Sequence, residues 1–179
     1  MKKLIIGALV GGLLLFIWQF LSWTKLNVHR AEFGYTANQD AVIAALNENL
    51  EEGTYMIPGM APGATKEEQT AAHESAIGKP WALINYHNSY DTNMTMNMIR
   101  GFLVNVLAAF LLCWIFLNFR ELSMKTAVLS AMAVGVIGYL VISYIDSIWF
   151  GGSSIGDLID AIAQWGLCGA WLGWWLNRE

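Results

Sequence analysis

Four stretches of this sequence hold almost no charge and no proline: Leu4 to Trp23, Gly101 to Phe119, Thr126 to Phe150 and Gly156 to Leu176. A bilayer core asks for about 20 consecutive, mostly apolar residues in a spanning helix. Hydrocarbon offers no partner for a free peptide group, so the absence of proline lets each stretch close its own hydrogen bonds. The fold class expected is an all-α membrane protein with four transmembrane helices. The helices are placed at 1–23, 101–119, 126–150 and 156–176, with 24–100 forming a small extracytoplasmic α+β cap between the first two. Only 13% of the 179 residues are charged, against about 25% in an ordinary soluble domain.

Lys2 and Lys3 ahead of the first stretch imitate a secretory signal. The apolar run exceeds the usual signal core of about 7–15 residues. Leu21-Ser22-Trp23-Thr24-Lys25 follows without a small-residue cleavage site, so helix 1 is expected to remain as an uncleaved anchor. Lys2, Lys3, Arg120, Lys125 and Arg178 fall on one side, within very short flanks. Lys25, Arg30, Lys66, Lys79 and Arg100 are diluted over the long segment on the other. The positive-inside rule then puts both termini in the cytoplasm and residues 24–100 outside. The compact Lys2-Lys3 start is of a bacterial kind, so the expected location is a bacterial inner (cytoplasmic) membrane, crossed several times.

Within the long segment, Thr36-Ala37-Asn38-Gln39 and Thr65-Lys66-Glu67-Glu68 have capping-box spacing. Val42, Ile43, Leu46 and Leu50 follow the first box at helical spacing. Thr54 to Ile57 and Trp81 to His87 have strand composition and are expected to pair. Asp91 is positioned to cap a helix that starts at Thr92 and runs into span 2.

The net charge of −4, with no run of Lys or Arg, excludes nucleic acid as a partner. The partners expected are membrane lipids and other membrane subunits or further copies of the chain. Cys113 and Cys168 lie inside apolar runs and are read as small buried hydrophobes rather than a disulfide. No phosphate-binding loop, dinucleotide fingerprint, zinc-ligand spacing or serine-hydrolase elbow occurs in the sequence. No cofactor and no catalytic residue is therefore assigned.

Polar groups inside a span are costly and often functional. At about 100° per residue, Asp157, Asp160, Gln164 and Cys168 share one stripe of helix 4. Gly166, Gly169, Ala170 and Gly173 share the opposite one, a close-packing pattern repeated by Gly7 and Gly11 in helix 1. Helix 3 aligns Gly135, Tyr139, Ser143 and Asp146, while helix 2 aligns Met94, Met98, Asn105 and Ala109. An outward-facing polar notch between helices 2, 3 and 4 follows, built from Asn105, Asp146, Asp157, Asp160 and Gln164, with Arg100 at the rim. The bland reading is interfacial aspartates that flank a helix N-terminus, where negative charge is favoured. Met94, Met98 and His87 offer soft ligands for Cu(I). However, Met94, Met96 and Met98 open a helix, where only Met94 and Met98 share a face, so packing is the simpler use.

Three functions are compatible with these features. The first expected is a non-catalytic accessory or scaffold subunit whose helices pack through the small-residue stripes. It rests on helix 4 wanting protein on two opposite sides. The second is a small transporter, channel or cation-binding protein using the aspartate notch. The third is an envelope enzyme acting on lipid or another outer-surface substrate, with His87 and Asp91 as an acid–base pair. The absence of a nucleophile beside that pair weighs against an enzyme.

Overall fold

The computed structural model describes residues 1–178 and divides into two compact units. One comprises Met1–Gly34 and the segment from Thr92 onward; the other is Tyr35–Asp91.

The first unit is built from four long helical segments. They are α1 (Lys2–Thr24), α4 (Met94–Leu117), α5 (Met124–Tyr139) with its continuation, and α7 (Ile155–Leu176). The continuation of α5 is a π-helical turn, Leu140–Tyr144, followed by the short α6 (Ile145–Phe150). Three of the segments are long and apolar enough to cross a membrane: Lys2–Thr24, Met94–Leu117 and Met124–Phe150. The fourth, α7, has the length but not the apolarity, because Asp157, Asp160 and Gln164 interrupt it and tryptophans replace aliphatic residues.

The helices run antiparallel in sequence order. Trp175 donates from its indole to the Lys3 carbonyl at 2.8 Å, and Trp171 to the Gly7 carbonyl at 3.1 Å. At the other end, Ser22 and Trp18 reach Asp160. So α7 lies alongside α1 for its whole length, its C-terminus beside the start of the chain. The main packing partners are α5 on α7, α7 on α1, and α1 on α4.

Burial within this unit is inverted relative to a soluble domain. Ala8, Ala109, Ala127, Ala131 and Ala161 are buried, while Leu103, Val104, Leu107 and Leu111 stand exposed along α4. Small side chains let backbones approach, and large apolar ones face outward, as lipid solvation favours. A Cβ on Gly12 would fall 2.5 Å from the Cα of Val106, and one on Gly169 would fall 2.6 Å from the Ala131 methyl. The core proper gathers Leu15, Leu112, Phe116 and Leu172 with buried Cys113 and Cys168, both free thiols as expected.

Asn93, rather than Asp91, caps α4: its side chain accepts from the Met96 amide at 3.0 Å, and the helix begins at Met94. Asn93 wins because its oxygen sits at the correct offset from the first free amides.

The second unit holds α2 (Gln39–Asn49), β1 (Gly53–Ile57), α3 (Lys66–Ala76) and β2 (Ala82–Tyr86). The strands pair antiparallel, with Gly53 opposite Tyr86 and Ile57 opposite Ala82. The Tyr86 hydroxyl donates to the Asn47 side chain at 2.9 Å, tying the sheet to α2. Thr65 forms the expected reciprocal capping box with Glu68. Thr36 forms none; its hydroxyl accepts from the Asn38 amide at 3.2 Å, a local turn that moves the helix start to Gln39.

Candidate functional site

A cavity of about 680 Å³ lies in the helical unit. Four elements wall it: Gln19 of α1, Met94 and Met98 of α4, Gly135 and Tyr139 of α5, and Asp157, Asp160 and Gln164 of α7. Ile142 and Ser143 of the π-helical turn complete the α5 side. The sequence neighbours α4 and α5 thus each supply one wall, at the end opposite the chain termini.

The polar corner of this cavity is organised by a loop the sequence did not single out. After α1 the backbone folds back: the Leu26 amide bonds the Leu21 carbonyl at 2.9 Å, and Val28 bonds Ser22 at 3.2 Å. Asn27 turns the chain with φ +52°, a left-handed conformation that Asn tolerates better than most residues. The reversal returns His29 to the end of α1, where its ring stacks on Trp23 with centroids 4.0 Å apart.

His29 is buried between two carboxylates. Its Nε2 lies 2.9 Å from an Asp160 oxygen, and its Nδ1 lies 2.6 Å from Glu32. The other Asp160 oxygen accepts from Ser22 at 2.6 Å and from the Trp18 indole at 2.8 Å. Asp160 therefore carries three hydrogen-bond partners from α1 and its following loop. Gly156 makes room for the cluster: a Cβ there would sit 2.6 Å from Glu32 and 2.7 Å from His29 Nδ1. Burial pulls the His29 pKa down, but hydrogen bonds to Asp160 and Glu32 and the charges of both outweigh it, so the net shift is upward.

Asp157 adds a third carboxylate. One ligand atom from each of His29, Glu32 and Asp157 falls within 4.8 Å of the other two. Farther along the same stripe of α7, the Gln164 side-chain carbonyl is buried without a hydrogen-bond partner.

The structure brings together Asp157, Asp160 and Gln164 of the expected notch and leaves its other members elsewhere. Asn105 is buried and donates to Gln19 at 2.7 Å, so it joins α4 to α1. Asp146 and Arg100 are exposed and stand off the cavity wall. Helix 1, absent from the expected notch, supplies Gln19 to the cavity wall and Trp18 and Ser22 as donors to Asp160. The missed residues His29 and Glu32 carried one faint signal, their helical-turn spacing, which matches that of Asp157 and Asp160. Of the copper candidates, Met94 and Met98 line the cavity, while His87 belongs to the other unit and faces Glu52 at 3.4 Å.

The small-residue stripes find their partners inside the chain. Gly7 meets Cys113 and Leu172, and Gly11 meets Ala109 and Cys168. Gly169 and Gly173 meet Ala127 of α5. Gly166 touches Met132 loosely, and Ala170 is exposed. Comparison with family models, curated proteins and solved structures finds no match for the chain.

Proposed function

We propose that this chain is a four-span membrane protein that binds a cation, or the cationic group of a small ligand, in the cavity between α1, α4, α5 and α7. The observation that carries the reading is the polar corner: three carboxylates, Glu32, Asp157 and Asp160, converge on the single imidazole of His29. Even with a protonated ring, that corner keeps an excess of negative charge beside an apolar wall. A low-dielectric surrounding strengthens its attraction for a positive ligand. The orphaned Gln164 carbonyl and the Tyr139 face supply a hydrogen-bond acceptor and an aromatic surface for the rest of such a ligand.

The pairing of α1 with α7 supports the four-span reading. Helix α1 is long and apolar enough to cross, and α7 matches it end to end. The polar residues of α7 face the cavity and its partner α1, so a helix too polar to cross alone is accommodated by its neighbours. The positive flanks support a reading with both termini in the cytoplasm of a bacterial inner membrane and residues 24–100 outside.

The accessory-subunit expectation rests on the absence of a catalytic set and on the small-residue packing stripes. Helices α1, α4 and α5 fill most of them within one chain, and the cavity supplies the stronger argument. The test is thermal unfolding of the detergent-purified protein with a panel of metal, alkylammonium and polyamine cations. A ligand at 100 times its Kd stabilises by about 2.7 kcal/mol, which reads as a rise of several degrees in Tm. Asp157→Asn is expected to reduce that rise. A panel in which no cation moves the wild-type Tm refutes the reading.

A further inference from the structure

We propose that the polar corner is a site for one divalent transition-metal ion of the zinc class, held by Nδ1 of His29 and the carboxylates of Glu32 and Asp157. The inference rests on the cation-binding reading and narrows its ligand to a metal. Three features of the corner point there rather than to an organic cation.

The first is donor geometry. Zinc bonds of about 2.0–2.2 Å to nitrogen and oxygen leave neighbouring tetrahedral ligand atoms about 3.4 Å apart. The three ligand atoms here lie within 4.8 Å of one another, and His29 Nδ1 and Glu32 are 2.6 Å apart. An ammonium group hydrogen-bonded at about 2.8 Å holds its neighbouring acceptors about 4.6 Å apart, farther than the 2.6 Å between His29 Nδ1 and Glu32.

The second is the partner on the far side of the ring. A metal-binding histidine almost always donates its other N–H to a carboxylate or carbonyl, which fixes the tautomer and orients the ring. Asp160 stands 2.9 Å from Nε2, and is itself held by Ser22 and Trp18. With Nε2–H given to Asp160, the Nδ1 lone pair points toward Glu32. Stacking on Trp23 restricts the ring further.

The third is donor type and vacancy. One imidazole and two carboxylates select zinc-class ions over magnesium or calcium, which prefer oxygen alone. Three protein ligands are one fewer than a closed structural zinc site has. His29 and Asp157 both line the cavity, which leaves room beside the site for water or a small ligand as a fourth donor.

The experiment uses the full chain, purified in mild detergent and stripped with a chelator that is then removed. Zn2+ alone is titrated by calorimetry, and Co2+ alone is followed by its visible absorption. One Zn2+ per chain is expected, with an intense Co2+ spectrum of low coordination number. Glu32→Gln and Asp157→Asn each weaken Zn2+ affinity at least about tenfold, and Asp160→Asn weakens it about 10–100-fold without changing the stoichiometry. Glu67→Gln, an exposed carboxylate of α3, leaves it unchanged. The wild-type Co2+ spectrum needs no substitution, so a poorly folding variant does not blunt the test. Failure of Zn2+ to bind, undiminished binding in the Glu32→Gln/Asp157→Asn double variant, or equal competition by Mg2+ overturns the proposal. A parallel choline titration separates the two readings. If choline raises Tm and Zn2+ does not bind, the metal site falls and the cationic cavity stands; if neither Zn2+ nor any cation of the panel acts, both fall.

Discussion

His29 shows how far a single side chain's environment departs from what its sequence neighbourhood announces. Three histidines scattered through a polar segment carry no ligand spacing, and the simplest expectation for each is a solvated or satisfied ring. The structure buries this one because Asp160, remote in sequence, provides the carboxylate that its Nε2 requires. Local pattern reports neighbours three or four residues away, so Asp157 and Asp160 were legible on α7 while their partner was not. The pairing has a pH consequence in the metal-free protein. The folded pKa of His29 lies above its unfolded value of about 6.5. Its stabilising contribution is therefore complete below about pH 6.5 and is lost as pH rises through the folded pKa. The Tm of chelator-treated protein is expected to fall across that window, and His29→Gln is expected to flatten the step. A wild-type Tm that stays level from pH 6 to 9 contradicts the assignment.

At the scale of elements, the helices were legible because apolar length and turn chemistry are local properties. Their boundaries shifted by a few residues where a competing cap won, as Asn93 did over Asp91. Direction of packing was less legible. Helical periodicity placed the glycine and aspartate stripes on opposite sides of α7, but it does not say whether the neighbour belongs to the same chain. Here α5 takes the Gly169 side, and α1 takes the Asp160 side. The π-helical turn at Leu140–Tyr144 had no signature in the apolar run; such turns insert one residue and often occur at functional sites. Close approach makes the glycines sensitive. Gly169→Ala puts a methyl 2.6 Å from that of Ala131, and Gly12→Ala puts one against the Val106 backbone. Overpacking of this kind typically costs about 1–3 kcal/mol. Gly138→Ala, where nothing lies within 4 Å, is the control. Reversible unfolding in mixed micelles is expected to rank both tight sites well below it, and equal stabilities would refute the packing argument.

For the whole molecule, orientation is the property most open to direct measurement. Cys113 and Cys168 are buried, so introduced thiols report with little background. In intact bacterial cells a membrane-impermeant maleimide is expected to label Ser75→Cys in α3. Glu121→Cys, between α4 and α5, and Arg178→Cys are expected to react only after lysis. Labelling of Arg178→Cys in intact cells, with Glu121→Cys still protected, would show that α7 does not cross. The two-unit division was partly legible, since charge and turn residues concentrate in the segment after α1. What composition does not reveal is which helices are neighbours, and that choice creates the cavity.

The lengthwise pairing of α1 with α7 carries a consequence for biosynthesis. A ribosome makes α1 before α7. Ser22, Trp18 and His29 therefore meet their shared carboxylate only once α7 has been made. Until then α1 has α4 as its companion, with Gln19 and Asn105 joined early, while its other flank waits for a strand of chain not yet made.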